Sequence, residues 1–200
     1  MMEKIKQKLE KGGAVVLPTE TVYGLFAKAL DEKAVNHVYQ LKRRPRDKAL
    51  NLNVASLADI LNFSKNQPPY LQQLVEKFLP GPLTIILKAN DKVPDWVNSD
   101  LTTVGFRMPN HPVTLKLIRE FGPLIGPSAN ISGQASGVTF KEILKDFDQE
   151  VLGVEDDAYL TGQDSTILDL SGSKARILRQ GAVTREDILA KIPVIPFEEI

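Results

Sequence analysis

The sequence predicts an α/β fold: a single domain on a twisted, mixed sheet flanked by helices. Three observations carry that prediction. Short apolar, β-branched runs alternate with segments of helical period, the pattern of α/β proteins. Near the end, residues 165–170 and 175–179 read as antiparallel strands joined across the turn Ser171-Gly172-Ser173-Lys174, so the sheet is not wholly parallel. The 200 residues, 42% apolar and 25% charged, suffice for one core and have a globular composition. The domain is expected over residues 1–190, with a C-terminal tail over 191–200.

Residues 4–11 form an amphipathic helix with Ile5 and Leu9 on one face, ended by Gly12-Gly13. A strand over 14–17 runs into a loop, Pro18-Thr19-Glu20-Thr21-Val22-Tyr23-Gly24, and ligands of open α/β sheets sit beyond such strand ends. Asp31 caps a helix over 34–41 that stops before Pro45. His37 lies off its apolar stripe, as a surface residue does. A strand is expected at 50–54, helices at 56–63 and 70–79, a strand at 83–87 after Pro80-Gly81-Pro82, and a loop at 90–100 with Trp96 against the surface. Residues 102–109 read as a strand. Asn110 is the expected cap of a helix opened by His111-Pro112, which makes His111 a helix-start residue rather than a base. The run Pro123 to Gly133 repeats the strand-then-polar-loop design of the opening. Thr139 with Glu142 starts a helix to residue 147 and Thr184 with Asp187 starts the last one.

Composition excludes several chemistries. The chain has no cysteine and two histidines, which removes thiolate zinc sites, cysteine nucleophiles and histidine-rich metal clusters. Its 25 basic and 25 acidic side chains balance, so the total supplies no nucleic-acid-coating charge. Residues 1–9 lack the apolar segment of a signal peptide and no run approaches membrane-spanning length, so the expected location is the cytoplasm, with no membrane partner. Phosphate-loop, nucleophile-elbow and His-Glu-x-x-His motifs are missing. What remains is Lys42, Arg44, Arg107 and Arg179 beyond strand or helix ends, beside Thr19, Thr21, Thr103, Ser128, Asn130 and Ser165. Arginine forks match phosphate and carboxylate. Many cations with few bases suit a reaction at phosphate that works by positioning and charge stabilisation. The run Lys42-Arg43-Arg44-Pro45-Arg46-Asp47-Lys48 reads either as a solvated helix end or as an anion site.

Taken together, Pro18-Thr19-Glu20-Thr21-Val22-Tyr23-Gly24-Leu25, Leu41-Lys42-Arg43-Arg44-Pro45, Pro80-Gly81-Pro82-Leu83-Thr84, Thr103-Val104-Gly105-Phe106-Arg107, Pro127-Ser128-Ala129-Asn130-Ile131-Ser132-Gly133, and Ser165-Thr166-Ile167-Leu168-Asp169 with Arg179-Gln180-Gly181 resemble the YrdC/Sua5 family, the threonylcarbamoyl-AMP synthases. The motifs stand in the family's order and span residues 12–188. The resemblance implies a YrdC-like fold in the short form, without the additional C-terminal domain of Sua5-type members. It implies that L-threonine, bicarbonate and ATP, with Mg2+, give threonylcarbamoyl-adenylate and pyrophosphate, and that a transferase machinery passes the group to adenosine 37 of tRNA. By motif position, Thr21, Arg107 and Ser165 hold threonine. Arg44, Thr103, Asn130 and Arg179 contact ATP, Lys42 neutralises its phosphates, and Ser128 touches either ligand. Lys42, Arg44 and Arg107 carry the catalysis, and no protein metal ligand is assigned. Phe26 stands where a small residue is usual, Lys48-Ala49-Leu50 replaces the Asn-Pro-Leu of one branch, and Asn53 replaces that branch's histidine facing threonine. Two further readings share the fold: a non-catalytic relative that binds RNA (tRNA or double-stranded RNA) through the basic run or aids ribosome maturation, and a carbamoyl transferase like the hydrogenase-maturation domain.

Overall fold

The computed structural model describes residues 1–148 and 151–200, and several of its helices begin where a side chain caps them. Helix α1 (Met2–Glu10) buries Ile5 and Leu9, four residues apart and so on one face. Strands β1 (Val15–Leu17) and β2 (Gly24–Lys28) follow. Asp31 caps α2 (Glu32–Lys42), accepting from the N–H groups of Lys33 and Ala34. Next come β3 (Leu52–Asn53), the Ser56-capped α3 (Leu57–Phe63), β4 (Ser64–Lys65), α4 (Leu71–Phe78) and the longest strand, β5 (Leu83–Ala89). A single turn, α5 (Asp95–Asn98), precedes β6 (Thr103–Arg107). The chain continues through α6 (Pro112–Phe121), β7 (Leu124–Ile125), α7 (Phe140–Asp146) and β8 (Leu152–Gly153). It then runs through β9 (Thr166–Asp169), β10 (Arg176–Arg179) and α8 (Arg185–Lys191). Reciprocal capping boxes, Thr139/Glu142 and Thr184/Asp187, open α7 and α8.

The strands form one mixed sheet in the order β10-β9-β5-β6-β3-β7-β2-β1-β8, with β4 paired to β5. Pairs β3/β6, β5/β9 and β1/β8 are parallel, and the rest are antiparallel. The central register sets three side chains in a row: Asn53 opposite Arg107, and Arg107 opposite Thr84. Directly paired residues share a sheet face, so amide, guanidinium and hydroxyl stand side by side on β3, β6 and β5. The other face of β3 is apolar, with Leu52 fully buried.

Core packing covers both faces. Val15, Leu17 and Phe26 pack with Ile5 and Leu9 of α1 and Leu117 and Ile118 of α6. Their strand neighbours Val16, Leu25 and Ala27 join the larger cluster that includes Val35 and Val38 of α2.

Three expectations change. Residues 24–28, which follow the expected loop and carry no expected element, form β2; both faces of this strand are buried, which erases the period-two pattern that marks a half-exposed strand. The expected loop at 90–100 contains α5, too short to show a helical period, and the half-buried Trp96 donates from Nε1 to Ala29 O at 3.0 Å. The cap of α6 is His111, not Asn110: its Nδ1 accepts from Val113 N at 3.3 Å. Ala175 N and O also bond Pro196 O and Glu198 N, tying residues 196–198 to the start of the last hairpin.

Candidate functional site

A cavity of about 200 Å³ opens over the Asn53–Arg107–Thr84 row. Its walls are the loop after β1 and the segment after β7, which are zipped together. Leu25 N bonds Pro127 O, Ala129 N bonds Tyr23 O, both at 2.8 Å, and Gly24 bridges to Ser128. The two strand-loop segments that look alike in sequence thus make one wall. Beneath it lies Phe26. A Cβ on either Gly24 or Gly126 would fall 2.4 Å from its ring, so both glycines leave the room that the phenyl ring fills.

Three arginines line the cavity, each held by backbone carbonyls. Arg44 donates from Nε to Lys48 O (3.2 Å) and from Nη2 to Ala49 O (2.8 Å). Arg107 donates from Nε to Gly81 O (3.0 Å), which gives the Pro80-Gly81-Pro82 turn a role in the site. Its Nη2 bonds both the Glu20 carboxylate and Thr21 Oγ1 (3.2 Å). Arg179 donates from Nε to Ser165 O and from Nη2 to Ser165 Oγ. Asp164, 4.0 Å from Arg179 Nη1, is the one carboxylate in the lining among the described residues, so the cavity favours anions.

The hydroxyls are ordered by the same logic. Thr19 Oγ1 donates to Val22 O at 2.6 Å, which uses its only proton. The 2.9 Å bond between Thr19 and Thr21 must therefore be donated by Thr21. Thr21, already accepting from Arg107, then offers a ligand only a lone pair. Thr84 Oγ1 and Ser165 Oγ are 2.8 Å apart, and Ser165 also accepts from Arg179, leaving one hydroxyl proton of that pair free. Thr166, on the opposite face from Ser165, instead fixes Val183 O and Gly181 N.

Of the ten residues singled out in the sequence, Thr19, Thr21, Arg44, Arg107, Ser128, Ser165 and Arg179 line this cavity and three do not. Lys42 is 1% exposed, and its Nζ donates to Ser128 O (2.5 Å) and Asn130 O (2.7 Å). Burial, with Arg44 nearby, lowers its pKa to about 8. It pins the wall from behind and is not in the cavity lining. Asn130 folds its own loop, donating from Nδ2 to Ile131 O and Gln134 O. Thr103 starts the strand that Arg107 ends; four residues of extended chain put them roughly 13 Å apart. It lines a separate cavity at the far end of β5 and β6. Of the basic run, only Arg44 enters the site. Arg46 lies over the Tyr39 ring and bonds Asn36, as a braced helix end does.

Sequence reasoning missed Thr84, Asp164 and Glu20. Thr84 and Glu20 lie inside quoted motifs, where strand register was the missing information; Asp164 carries no local signal beyond preceding Ser165. Tyr23 backs the wall: its hydroxyl donates to Asp157 (2.7 Å) and accepts from Asp156 N, and burial followed by the Asp157 bond raises its pKa. Asn53, 4% exposed, lines the cavity with no side-chain partner among the described residues. Among those residues no group of three or more His, Cys, Asp or Glu could hold a metal ion, and no helix is long and apolar enough to cross a membrane.

Comparison with known proteins agrees with this fold. A family model described as "Telomere recombination" (Sua5_yciO_yrdC) matches residues 7–181. The threonylcarbamoyl-AMP synthase of Pyrococcus abyssi is 38% identical over 182 residues, covering 90% of this chain and 54% of the relative. That of Bacillus subtilis is 37% identical over 187 residues, covering 92% and 54%. The structure of P. abyssi Sua5 complexed with L-threonine matches with a TM-score of 0.90 at 36% identity, over 98% of this chain and 58% of that one. The chain thus spans about half the length of these curated relatives.

Proposed function

The chain belongs to the Sua5/YciO/YrdC family, and from that premise we propose that it is an L-threonylcarbamoyladenylate synthase. It joins L-threonine, bicarbonate and ATP into threonylcarbamoyl-AMP and pyrophosphate, for the modification of tRNA adenosine 37 by a transferase machinery. The observation that carries the reading is the cavity with three carbonyl-held arginines, one carboxylate and a row of amide and hydroxyl groups. Threonine binds with its carboxylate on Arg107 and its nitrogen near the Thr21 lone pair, with Ser165 and Thr84 beside them. Arg44 and Arg179 take the ATP phosphates, and Ser128 lies between the two ligands.

The threonine carbamate, formed from amine and bicarbonate with loss of water, attacks the α-phosphorus through a carbamate oxygen, and pyrophosphate leaves as the α–β phosphoanhydride bond breaks. Arginines fixed before the ligand arrives stabilise the charge that develops there without having to reorganise. No protein nucleophile is required. Mg2+ fits as a companion of ATP: with one lining carboxylate, the triphosphate would supply most of its ligands. The exposed Arg43 and Lys48 are the surface that would meet tRNA. The test is direct. Purified protein given ATP, L-threonine and bicarbonate should release pyrophosphate and form an adenylate of the expected mass; absence of both sinks the reading.

A further inference from the structure

We propose that Glu20 is a positioning residue for the amino-acid half of the reaction: it touches no ligand, and it fixes the guanidinium of Arg107. The proposal rests on the functional reading above, which assigns the threonine carboxylate to Arg107. A guanidinium has five N–H donors. In Arg107 the Nε proton goes to Gly81 O and both Nη2 protons go to Glu20 and Thr21. Only Nη1 remains without a partner among the described residues, so Nη1 is the edge offered to a carboxylate in the cavity.

Glu20 sets that choice of edge. Its Oε1 takes Arg107 Nη2, and its Oε2 accepts from Asn110 N at 2.6 Å. The carboxylate therefore joins the last residue of β6 to the turn that enters α6. Its own backbone is clamped, because Glu20 O accepts from Thr161 N (3.0 Å) and Thr21 O from Gly162 N (2.8 Å). The Glu20 side chain is 13% exposed and the residue is not in the cavity lining, so it is neither a base nor a ligand contact. Without it, Arg107 keeps one carbonyl and the longer Thr21 bond, and the guanidinium can turn about Nε. Both partners of Glu20 are donors. Gln cannot replace it, since its amide NH2 would face one of them, whereas Asp keeps two acceptors on a shorter arm.

The experiment compares Glu20→Gln, Glu20→Ala and Glu20→Asp with wild type. Calorimetric affinity for L-threonine should fall about ten- to hundredfold in the Gln and Ala variants, and less in Asp. ATP affinity should stay within about twofold and the thermal midpoint within about 3 °C. Unchanged threonine affinity overturns the proposal, and so does an equal loss for both ligands with a lowered midpoint, which is a merely structural role. A second readout needs no substrate: the Arg107 Nε–H resonance in a 1H–15N spectrum should be sharp in wild type and broadened in Gln and Ala. A sharp resonance in both variants refutes the positioning role. Wild type that shows the sharp resonance yet binds no threonine refutes the functional reading instead.

Discussion

Lys42 offers the most quantitative test of the wall's construction. Its ammonium is buried behind the cavity, bonded to Ser128 O and Asn130 O, with a pKa lowered from 10.5 to about 8 by burial and by Arg44. In the unfolded chain it titrates near 10.5, so between these values the unfolded state holds the proton and the folded state does not. Stability attributable to this group then rises with pH. The penalty of the buried charge is fully present below about pH 8 and is relieved as pH climbs toward 10.5. Between about pH 8 and pH 10 the linkage relation gives roughly 2 kcal/mol, which is about 4–8 °C of melting temperature in a chain of this size. The neutral amine keeps two N–H donors, so both carbonyls stay satisfied throughout. The assay is a pair of melting curves, wild type and Lys42→Met, at the two pH values. The difference between the proteins cancels every other titrating group, including Tyr23, whose raised pKa acts the opposite way only at higher pH. Wild type should gain on the variant by that margin from pH 8 to pH 10. A constant difference, or one of opposite sign, refutes the description of Lys42 as a buried cation that holds the wall.

Other outcomes follow from the same geometry. Arg44→Ala and Arg107→Ala should abolish pyrophosphate release with the circular dichroism spectrum unchanged; normal turnover in either means the cavity is not the active site. Thr103→Ala should leave the KM for ATP within about twofold, because the residue lies at the far end of β6, and a tenfold rise would contradict that placement. Phe26→Ala should lower stability by about 3–5 kcal/mol in denaturant titration. Gly126→Ala, pushing a methyl into the same ring, should cost about 1–3 kcal/mol, and a neutral Gly126→Ala would show that the ring does not fill that space.

Much of the fold was legible in the sequence because its signals are local. Asp31, Ser56, Thr139 and Thr184 cap helices within three residues of themselves, and Ile5 and Leu9 mark a helical face by spacing alone. β2 was not legible, because a strand buried on both faces loses its alternation. In the site, Arg44, Arg107 and Arg179 were legible as cations at or just past helix and strand ends, where a positive side chain stands out among apolar neighbours. Lys42 and Asn130 looked equivalent on the same grounds. Their side chains instead satisfy buried carbonyls, a demand that appears only once the two walls meet.

By itself the sequence determined the class of fold, the capped starts of α2, α3, α7 and α8 and the anion-seeking character of the site, which follow from residue type and short spacing. Its motif order over residues 12–188 carried the resemblance to the family. The tertiary structure decided which of the polar residues face the cavity, because that depends on strand register between segments far apart in the chain, as with Thr84 and Ser165, 81 positions apart. It also decided the direction of the bonds there. Thr19 donates to Val22 O, so Thr21 spends its proton on Thr19 and can only accept from a ligand, and Glu20 occupies Nη2 of Arg107, which leaves Nη1 free among the described residues. Proton direction is set by the partner across the contact, and no residue carries that information alone.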